Sequence, residues 1–295
     1  MTQGLIAEMG FITIQTTRLD EQVTMTREIL GLREVERVGN AVYFAAADVH
    51  HEIVYVEGDR DGLDHLSFRA RDESAFQEIR RRVIDAGMPI LTDAPLSIGI
   101  TEAFSFIGPE GYIFEIYLQM TATWTPTRPS GPERYGHINM HPVDVVRMKS
   151  FFVDVLDFRV SDVVGTDFAY FLRCNSDHHG IALIKGRGSL HHHAWQTQSI
   201  ADLGRMADRV DRMGQKLLWG PVRHGAGHNI AAYYEEPSGA LVELYTDMEQ
   251  IYDDAREPNI WPGDDDLGWV NRWMDFTPSG FRDFGIFPVS RPADH

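Results

Sequence analysis

The sequence predicts an α+β fold made of two tandem copies of one domain, each copy curving a sheet around a cavity. Three observations support this prediction. Blocks of sequence recur at a nearly constant offset, each block alternates strand-like and helix-like runs, and a stretch rich in proline and glycine separates the two copies. Each copy divides again into two units, so four βαβββ units are expected in a row.

The first pair of matching blocks begins at Met9 and at Tyr135. Each block opens with a strand-like run and continues with about twelve helix-like residues, followed by Leu-Gly-Leu or Leu-Asp-Phe and a second strand. Phe11 in the first block matches His137 in the second, an offset of 126 residues. The helix-like run of the second block carries apolar side chains at helical spacing, namely Val145, Met148, Phe152 and Leu156.

Two further pairs of blocks keep nearly the same offset. In the second pair a strand precedes a helix that closes at a glycine, and His65 matches His192 at an offset of 127 residues. The third pair consists of hairpins with a Pro-x-Gly turn, in which Glu115 matches Glu243 at an offset of 128 residues. Three separate blocks at one offset indicate an internal duplication.

The duplication predicts the domain limits. We expect an N-terminal domain at 1–122, a C-terminal domain at 134–247 and a tail at 248–295, with the proline-rich joint between the domains. The stretch that starts at Asp247 holds 11 acidic residues against 4 arginines, but it is also rich in tryptophan and phenylalanine. Because disordered tails are poor in aromatic residues, we expect it to pack on the C-terminal domain and to close a pocket or an oligomer contact.

Composition excludes several classes of function. Lys and Arg number 27 against 44 Asp and Glu, and the resulting net charge of −17 disfavours binding to nucleic acid or to an anionic membrane surface. A single cysteine, Cys174, excludes an internal disulfide and a cysteine-based zinc cluster. With no signal-peptide pattern and no long apolar run, the sequence favours a cytoplasmic protein.

Three residues of the second copy form a candidate metal site. His137, His192 and Glu243 all lie in strand-like segments and occupy matched positions of the duplication. Two imidazoles and one carboxylate make a facial triad, which suits non-haem Fe(II) and leaves coordination positions open. The matched positions of the first copy hold Phe11, His65 and Glu115. Since phenylalanine cannot coordinate a metal, we expect the first copy to hold no comparable site.

A longer motif points to a known family. The run GPVRHGAGHNIAAYYEEPSGALVELY, from Gly220 to Tyr245, resembles the signature of type I extradiol ring-cleavage dioxygenases of the vicinal oxygen chelate superfamily. That group includes catechol 2,3-dioxygenases and dihydroxybiphenyl dioxygenases, and the resemblance covers nearly the whole chain. One departure is Glu236, which replaces the aspartate of the family's Asp-Pro turn.

The resemblance implies that His137, His192 and Glu243 bind Fe(II), with Mn(II) as the alternative ion. In the run LHHHAW it selects His192 as the ligand, because the small and aromatic residues that follow match the family pattern. His193 then takes a position that is usually apolar. Strand alternation places both His191 and His193 on the opposite face from His192.

The resemblance also implies roles for residues around the metal. His179 matches the acid–base histidine near the oxygen site, with the adjacent His178 as its rival. His224 matches a histidine that hydrogen-bonds a substrate hydroxyl, and Tyr233 matches a tyrosine near the ionised substrate oxygen. Asn139, two residues after the first ligand, is expected to support the site from behind the ligands.

The implied activity is extradiol cleavage of a catecholic ring by O₂, giving a muconic semialdehyde-type product. Catecholic substrate and O₂ are the implied partners, and homo-oligomers are usual in the family. Two alternatives stay open: another metal-dependent enzyme of the superfamily, an isomerase or thiol transferase, and a metal-free protein that binds small molecules. The proton chemistry assigned to the acid–base histidine suits an imidazole, whose ordinary pKa is near neutrality.

Overall fold

A computed structural model describes residues 4–124, 131–263 and 267–290. The first half contains two units of one helix and four strands each. Their elements are β1 (Ile6–Thr16), α1 (Leu19–Met25), β2 (Arg33–Val38), β3 (Ala41–Ala45), β4 (Ile53–Glu57), β5 (Gly62–Ala70), α2 (Glu73–Asp85), β6 (Ile90–Thr92), β7 (Ala103–Ile107) and β8 (Ile113–Tyr117).

The second half repeats this order and adds one strand from the tail. Its elements are β9 (Arg134–His141), α3 (Val145–Ser150), β10 (Arg159–Val164), β11 (Ala169–Arg173), β12 (Ile181–Ile184), β13 (Ser189–Gln196), α4 (Ile200–Arg212), β14 (Trp219–Arg223), β15 (Ile230–Glu235), β16 (Leu241–Thr246) and β17 (Asn259–Trp261). The first helix of each half ends in a wider π-helical turn, at Thr26–Leu30 and Phe151–Val155.

The two sheets share one topology. Strands of the first half are ordered β2-β3-β4-β1-β5-β8-β7-β6, and the second half has the same order in reverse, β14-β15-β16-β13-β9-β12-β11-β10, with β17 at its edge. The first strands of the two units pair antiparallel at the centre of each sheet, as β1 with β5 and β9 with β13. This arrangement confirms the predicted α+β class and its βαβββ units. The domain limits stay a prediction, and residues 125–130 of the predicted joint lie outside the described residues.

The halves are joined by a shared aromatic core. Phe151, in the turn after α3, packs against Phe114 of β8 with ring centroids 4.8 Å apart, and Phe152 packs against Phe68 of β5. Helix α4 turns Leu203 and its other apolar residues inward, because they recur at three- and four-residue spacing. The helices therefore cover one face of each sheet, and in the second half the other face curves around a cavity.

The tail contacts both halves. Strand β17 pairs parallel with β10 of the second half, and Ile286 exchanges backbone hydrogen bonds with Leu190 of β13. Further along, the backbone N–H of Leu63 in β5 donates to the carbonyl of Phe287 at 2.9 Å. The sequence predicted packing on the C-terminal domain, and the structure adds this contact with the first half. Among the helices of the described residues, none has the length and apolar composition needed to cross a bilayer.

Candidate functional site

Three neighbouring strands hold the predicted metal ligands. His137 lies on β9, His192 on β13 and Glu243 on β16, and β13 is the middle strand of the three. Ala194 of β13 is the register partner of both His137 and Glu243. Residues that are paired across strands point to the same face, so the small alanine side chain leaves room for the imidazole and the carboxylate to converge above it.

The three side chains meet at their polar atoms. Nε2 of His137 lies 3.3 Å from Oε2 of Glu243, and Nε2 of His192 lies 3.0 Å from the same oxygen. Burial raises the pKa of Glu243, but His137 and His192 outweigh burial and hold this pKa well below its ordinary value. Burial lowers the pKa of His192 to about 4, against the opposing effect of Glu243. The site therefore combines an ionised carboxylate with a neutral imidazole at pH 7.

The geometry fits a divalent metal ion. One nitrogen or oxygen from each of His137, His192 and Glu243 lies within 4.8 Å of the others, and all three residues are buried. A neutral imidazole nitrogen and a carboxylate oxygen in contact need a cation or a proton between them. Two imidazoles and one carboxylate are the donor set that suits Fe(II), and Mn(II) accepts the same ligands.

The candidate ligands lie at the wall of a cavity of about 370 Å³. Much of its surface is apolar, and the tail supplies a large part of the lining between Leu267 and Asp283. Lining residues from the sheet include His141, Phe168, Phe171, His179, Ala182, Ile184, His191, Trp219, His224, Asn229 and Tyr233. A concave, mostly apolar site with a few convergent polar groups is typical of small-molecule binding.

The structure separates the two candidate acid–base histidines. His179 lines the cavity, and its ring centroid lies 4.5 Å from that of His137. His178 lies behind it, with its Nδ1 3.0 Å from Nδ1 of His179 and its Nε2 3.2 Å from Oδ1 of Asp162. Burial, with the neighbouring His137 and His178, lowers the pKa of His179 well below its ordinary value. His179 is therefore a neutral ring that faces the cavity.

His224 and Tyr233 form one hydrogen-bonded unit. Nδ1 of His224 donates to the backbone carbonyl of Val270 at 2.6 Å, so the Nε2 of this neutral ring accepts from the hydroxyl of Tyr233 at 2.7 Å. Burial lowers the pKa of His224, and burial together with Glu243 raises the pKa of Tyr233 well above its ordinary value. Val270 belongs to the tail, so a tail carbonyl fixes the tautomer of a cavity histidine.

Two asparagines lie beside the candidate ligands. Asn139 lines the cavity and its Oδ1 is buried without a hydrogen-bond partner among the described residues. Asn229 donates from Nδ2 to Oε1 of Glu243 at 2.9 Å, so the other oxygen, Oε2, is the one that faces His137 and His192. Sequence reasoning missed Asn229, although it lies within the Gly220–Tyr245 motif that carries the family resemblance.

The histidine run on β13 departs from simple alternation. A β-bulge between Leu190 and His192 brings His191 onto the cavity side, where it lines the same cavity as His192. The prediction that His191 lies on the opposite face is therefore wrong. His193 does point away from the cavity, towards Glu236 at 3.3 Å.

Aromatic packing fills the matched position of the first half. The ring of Phe11 contacts His51 with centroids 4.2 Å apart and His65 at 5.6 Å. Glu115 accepts a hydrogen bond from the hydroxyl of Ser67 at 2.9 Å, and its Oε2 lies 4.0 Å from Nε2 of His65. Glu115 thus has a structural partner, and a phenyl ring stands where the second half has a metal-type donor.

Comparison with known proteins finds a family model that matches part of the chain and relatives that are similar over most of it. A family model described as "Glyoxalase/Bleomycin resistance protein/Dioxygenase superfamily" matches residues 134–244. A manganese-dependent 2,3-dihydroxybiphenyl 1,2-dioxygenase from Geobacillus genomosp. 3 is 26% identical over 87% of this chain and 90% of its own length. A biphenyl-2,3-diol 1,2-dioxygenase from Paraburkholderia xenovorans is 28% identical, over 81% of this chain and 87% of its own length.

Solved structures extend the likeness to the whole fold. The Mn(II)-bound glyoxalase from Novosphingobium aromaticivorans superposes with a TM-score of 0.86 at 27% identity, covering 99% of this chain and 96% of that one. Homoprotocatechuate 2,3-dioxygenase from Brevibacterium fuscum superposes with a TM-score of 0.90 at 20% identity, covering 96% and 93%, and shows the shared fold. Residues 134–244 therefore match this superfamily, and most of the chain is similar to extradiol ring-cleavage dioxygenases.

Proposed function

We propose that the chain is an extradiol dioxygenase that opens a catecholic ring with O₂ and gives a muconic semialdehyde-type product. One observation carries the proposal: His137, His192 and Glu243 converge from adjacent strands at the wall of a cavity large enough for an aromatic ring. A cavity of roughly 150 Å³ can hold benzene, so about 370 Å³ accommodates a substituted ring. Relatives named metapyrocatechase and biphenyl-2,3-diol 1,2-dioxygenase support the same reaction.

The proposed ligands would hold Fe(II) or Mn(II). When bound, the ion supplies redox chemistry and the coordination positions that three protein ligands leave open. Asn229 orients the carboxylate of Glu243 by donating to Oε1, so that the ligand oxygen faces His137 and His192. We propose that Asn139, with its unpartnered buried oxygen, interacts with groups bound in the cavity.

His179 is proposed to move the proton. Its depressed pKa keeps the ring neutral at pH 7, so it can accept a proton from a substrate hydroxyl and return it to an oxygen later in the reaction. Its ring lies against that of His137 with the two planes tilted by 58°, which places it beside the proposed ligands without joining them. His178 and Asp162 lie behind it and hold its ring in place.

Tyr233 and His224 are proposed to bind the substrate oxygens. The hydroxyl of Tyr233 donates to His224, so its oxygen remains able to accept a hydrogen bond from a substrate hydroxyl. If the substrate arrives ionised, the hydroxyl of Tyr233 can turn from His224 and donate to the substrate oxygen instead. The unit therefore adapts its donors and acceptors to the charge of the bound ring.

The remaining sequence-based expectations are part of the proposal. We propose that the first half, with Phe11 at the matched position, binds no metal, and that the chain divides at 1–122, 134–247 and 248–295. A cytoplasmic location is supported by the lone Cys174, and a net charge of −17 argues against nucleic-acid and membrane partners. Homo-oligomeric assembly is proposed from the family resemblance.

An anaerobic reconstitution tests the proposed activity. The metal-free chain is loaded with Fe(II) or with Mn(II), and catechol and 2,3-dihydroxybiphenyl are added in air-saturated buffer. We expect a yellow product and consumption of one O₂ per catechol. Absence of both signals with either metal and both substrates would contradict the proposal.

A glyoxalase activity is the second candidate, because a structural neighbour at 27% identity has that name. The same loaded protein is therefore assayed with the hemithioacetal of methylglyoxal and glutathione. Isomerisation of this compound without O₂ consumption would favour the second candidate. Catechol cleavage without isomerisation of the hemithioacetal would favour the proposed dioxygenase activity.

A further inference from the structure

Two cavity histidines, His141 and His191, have no part in the proposed reaction. His191 is only 2% exposed and lines the same cavity as His192, because of the bulge that precedes it on β13. Its ring stacks on that of His141, with centroids 4.5 Å apart and planes 20° from parallel. The stack and the bulge together fix both the place and the plane of the His191 ring.

Both nitrogens of His191 have a partner. Nε2 lies 2.7 Å from the backbone carbonyl of Phe281, in the tail, and Nδ1 lies 2.8 Å from Nδ1 of His192. A carbonyl oxygen can only accept, so Nε2 of His191 carries the hydrogen. Since the ring is buried and forms no hydrogen bond to a carboxylate in the described chain, it is neutral, and its Nδ1 must be the acceptor.

The direction of the hydrogen bond between His191 and His192 follows. If Nδ1 of His191 accepts, then Nδ1 of His192 donates and carries the hydrogen. A neutral imidazole has one N–H, so Nε2 of His192 is left with a lone pair. That nitrogen is the atom 3.0 Å from Oε2 of Glu243, at the convergence of the three candidate ligands. A metal-binding imidazole nitrogen has to be unprotonated.

We propose that His191 is a positioning residue for the metal centre: it connects the Phe281 carbonyl of the tail to Nδ1 of His192 and thereby directs the unprotonated Nε2 of His192 at the ligand cluster. The inference rests on the proposed assignment of His192 as a ligand. It assigns the tail a function beyond closing the cavity, because a backbone group of the tail sets the orientation of a ligand. Without His191, His192 can turn over and donate from Nε2 to Glu243, which opposes metal binding.

Two substitutions separate the hydrogen bond from the packing. His191→Phe keeps a flat ring that can stack on His141 but removes both nitrogens. His191→Asn places its Oδ1 close to the former Nδ1 and can still accept from His192. His141→Phe is the matched control, because it changes the other ring of the stack and leaves the hydrogen bond to His192 intact.

Metal affinity is the first measurement. Mn(II) binding to the full chain is measured without substrate by competition with a chelator. Loss of a group that orients a metal ligand usually costs 10- to 100-fold in affinity, so we expect His191→Phe to raise the Kd at least tenfold. His191→Asn should stay within about threefold of wild type, and His141→Phe within about twofold. Wild-type affinity in His191→Phe would overturn the proposal.

A direct measurement of the hydrogen bond in the wild-type chain tests the proposal without depending on whether the variants fold. In the ¹⁵N-labelled wild-type chain loaded with Zn(II), the N–H···N bond should give a scalar coupling between Nδ1 of His192 and Nδ1 of His191. Absence of this coupling would overturn the proposal even if no variant folds. Neither measurement needs turnover, so a wild-type chain that binds Mn(II) and shows the coupling but cleaves no catechol would refute the proposed reaction alone.

Discussion

His193 and Glu236, the two residues at which the chain departs from the sequence pattern of the extradiol dioxygenases that it resembles, contact each other. Trp195 donates from Nε1 to Nδ1 of His193 at 2.8 Å, so Nε2 of His193 carries the hydrogen and donates to Oε2 of Glu236 across 3.3 Å. Glu236 also accepts from Gln22 at 2.7 Å and from Tyr55 at 2.8 Å. Both of these residues belong to the first half, so the paired departures form a buried polar contact between the halves.

Glu236→Gln should weaken this contact. Burial raises the pKa of Glu236, but His193 and the hydrogen bonds from Ser238 and Tyr55 outweigh burial and hold it below its ordinary value. An amide in its place loses the ionic hydrogen bonds and turns a donor towards other donors. We expect the free energy of unfolding to fall by about 1–3 kcal/mol, measured with urea at pH 7. The matched control is Glu235→Gln at the exposed neighbouring position. This change should alter the free energy of unfolding by less than about 0.5 kcal/mol.

The contact between His193 and Glu236 also predicts that the free energy of unfolding depends on pH. A carboxyl whose pKa is lower in the folded chain stabilises the fold above its unfolded pKa, and this contribution is lost as the pH falls through the folded value. The ordinary value is 4.5. The stability difference between wild type and Glu236→Gln should therefore be largest near neutral pH and should shrink on acidification below pH 4.5. A difference that grows on acidification would show that Glu236 is not stabilised as an anion.

The sequence was sufficient to predict the repeat and the residues of the candidate metal site, whose role as ligands stays a prediction. A constant offset places His137, His192 and Glu243 at matched points of two identical topologies, and the central strands of such a sheet are neighbours. Strand alternation failed at His191, because a bulge is a local change of backbone geometry that the run of three histidines does not reveal.

The contribution of the tail was only partly predictable. Its aromatic composition indicated packing against the folded domains, and Trp269 is indeed buried. The backbone carbonyls of Val270 and Phe281 in the tail accept hydrogen bonds from His224 and His191. Every residue has a carbonyl, so no pattern of side chains could have identified these two.

Glu243→Gln should remove tight metal binding. The amide keeps the size of the side chain but loses the negative charge that His137 and His192 face. We expect wild type to bind about one Fe(II) or Mn(II) per chain and the variant to retain none after gel filtration. The matched control is Glu115→Gln, the corresponding change in the first half, which should leave metal content unchanged. Two tightly bound ions per wild-type chain would contradict the metal-free first half.

His179→Gln should separate binding from turnover. The variant keeps His137, His192 and Glu243, so metal content and anaerobic binding of catechol should match wild type. Loss of a positioned acid–base group should lower kcat with O₂ by about 10²- to 10⁴-fold. His178→Gln is the comparison, because this ring lies behind His179 rather than in the cavity, and we expect a smaller loss. A larger loss in His178→Gln would transfer the proton role to that residue.

Apolar side chains form one wall of the cavity. Trp269 of the tail packs edge-on against Phe168 and Phe171, with centroids 6.1 and 6.2 Å apart, and Ile184 continues the same wall. Of the described lysine and arginine side chains, Arg282 is the one that lines this cavity, and its guanidinium lies over the ring of Phe168 at 4.8 Å and donates to the carbonyl of Lys185 at 3.1 Å. Its charge is therefore already engaged by neighbouring groups.

This wall predicts selectivity for catechols with an uncharged substituent. Burying an apolar group against Trp269 and Phe171 is favourable, whereas a carboxylate there would lose hydration without a free cation in the described lining. We expect kcat/KM for 3-methylcatechol to exceed that for 2,3-dihydroxybenzoate at least tenfold. Ile184→Lys places a cation at this wall. It should lower the ratio of kcat/KM for 3-methylcatechol to kcat/KM for 2,3-dihydroxybenzoate, or bring it below one, while catechol itself is still cleaved. A wild-type preference for the carboxylate would show that Arg282 leaves Phe168 to pair with substrate.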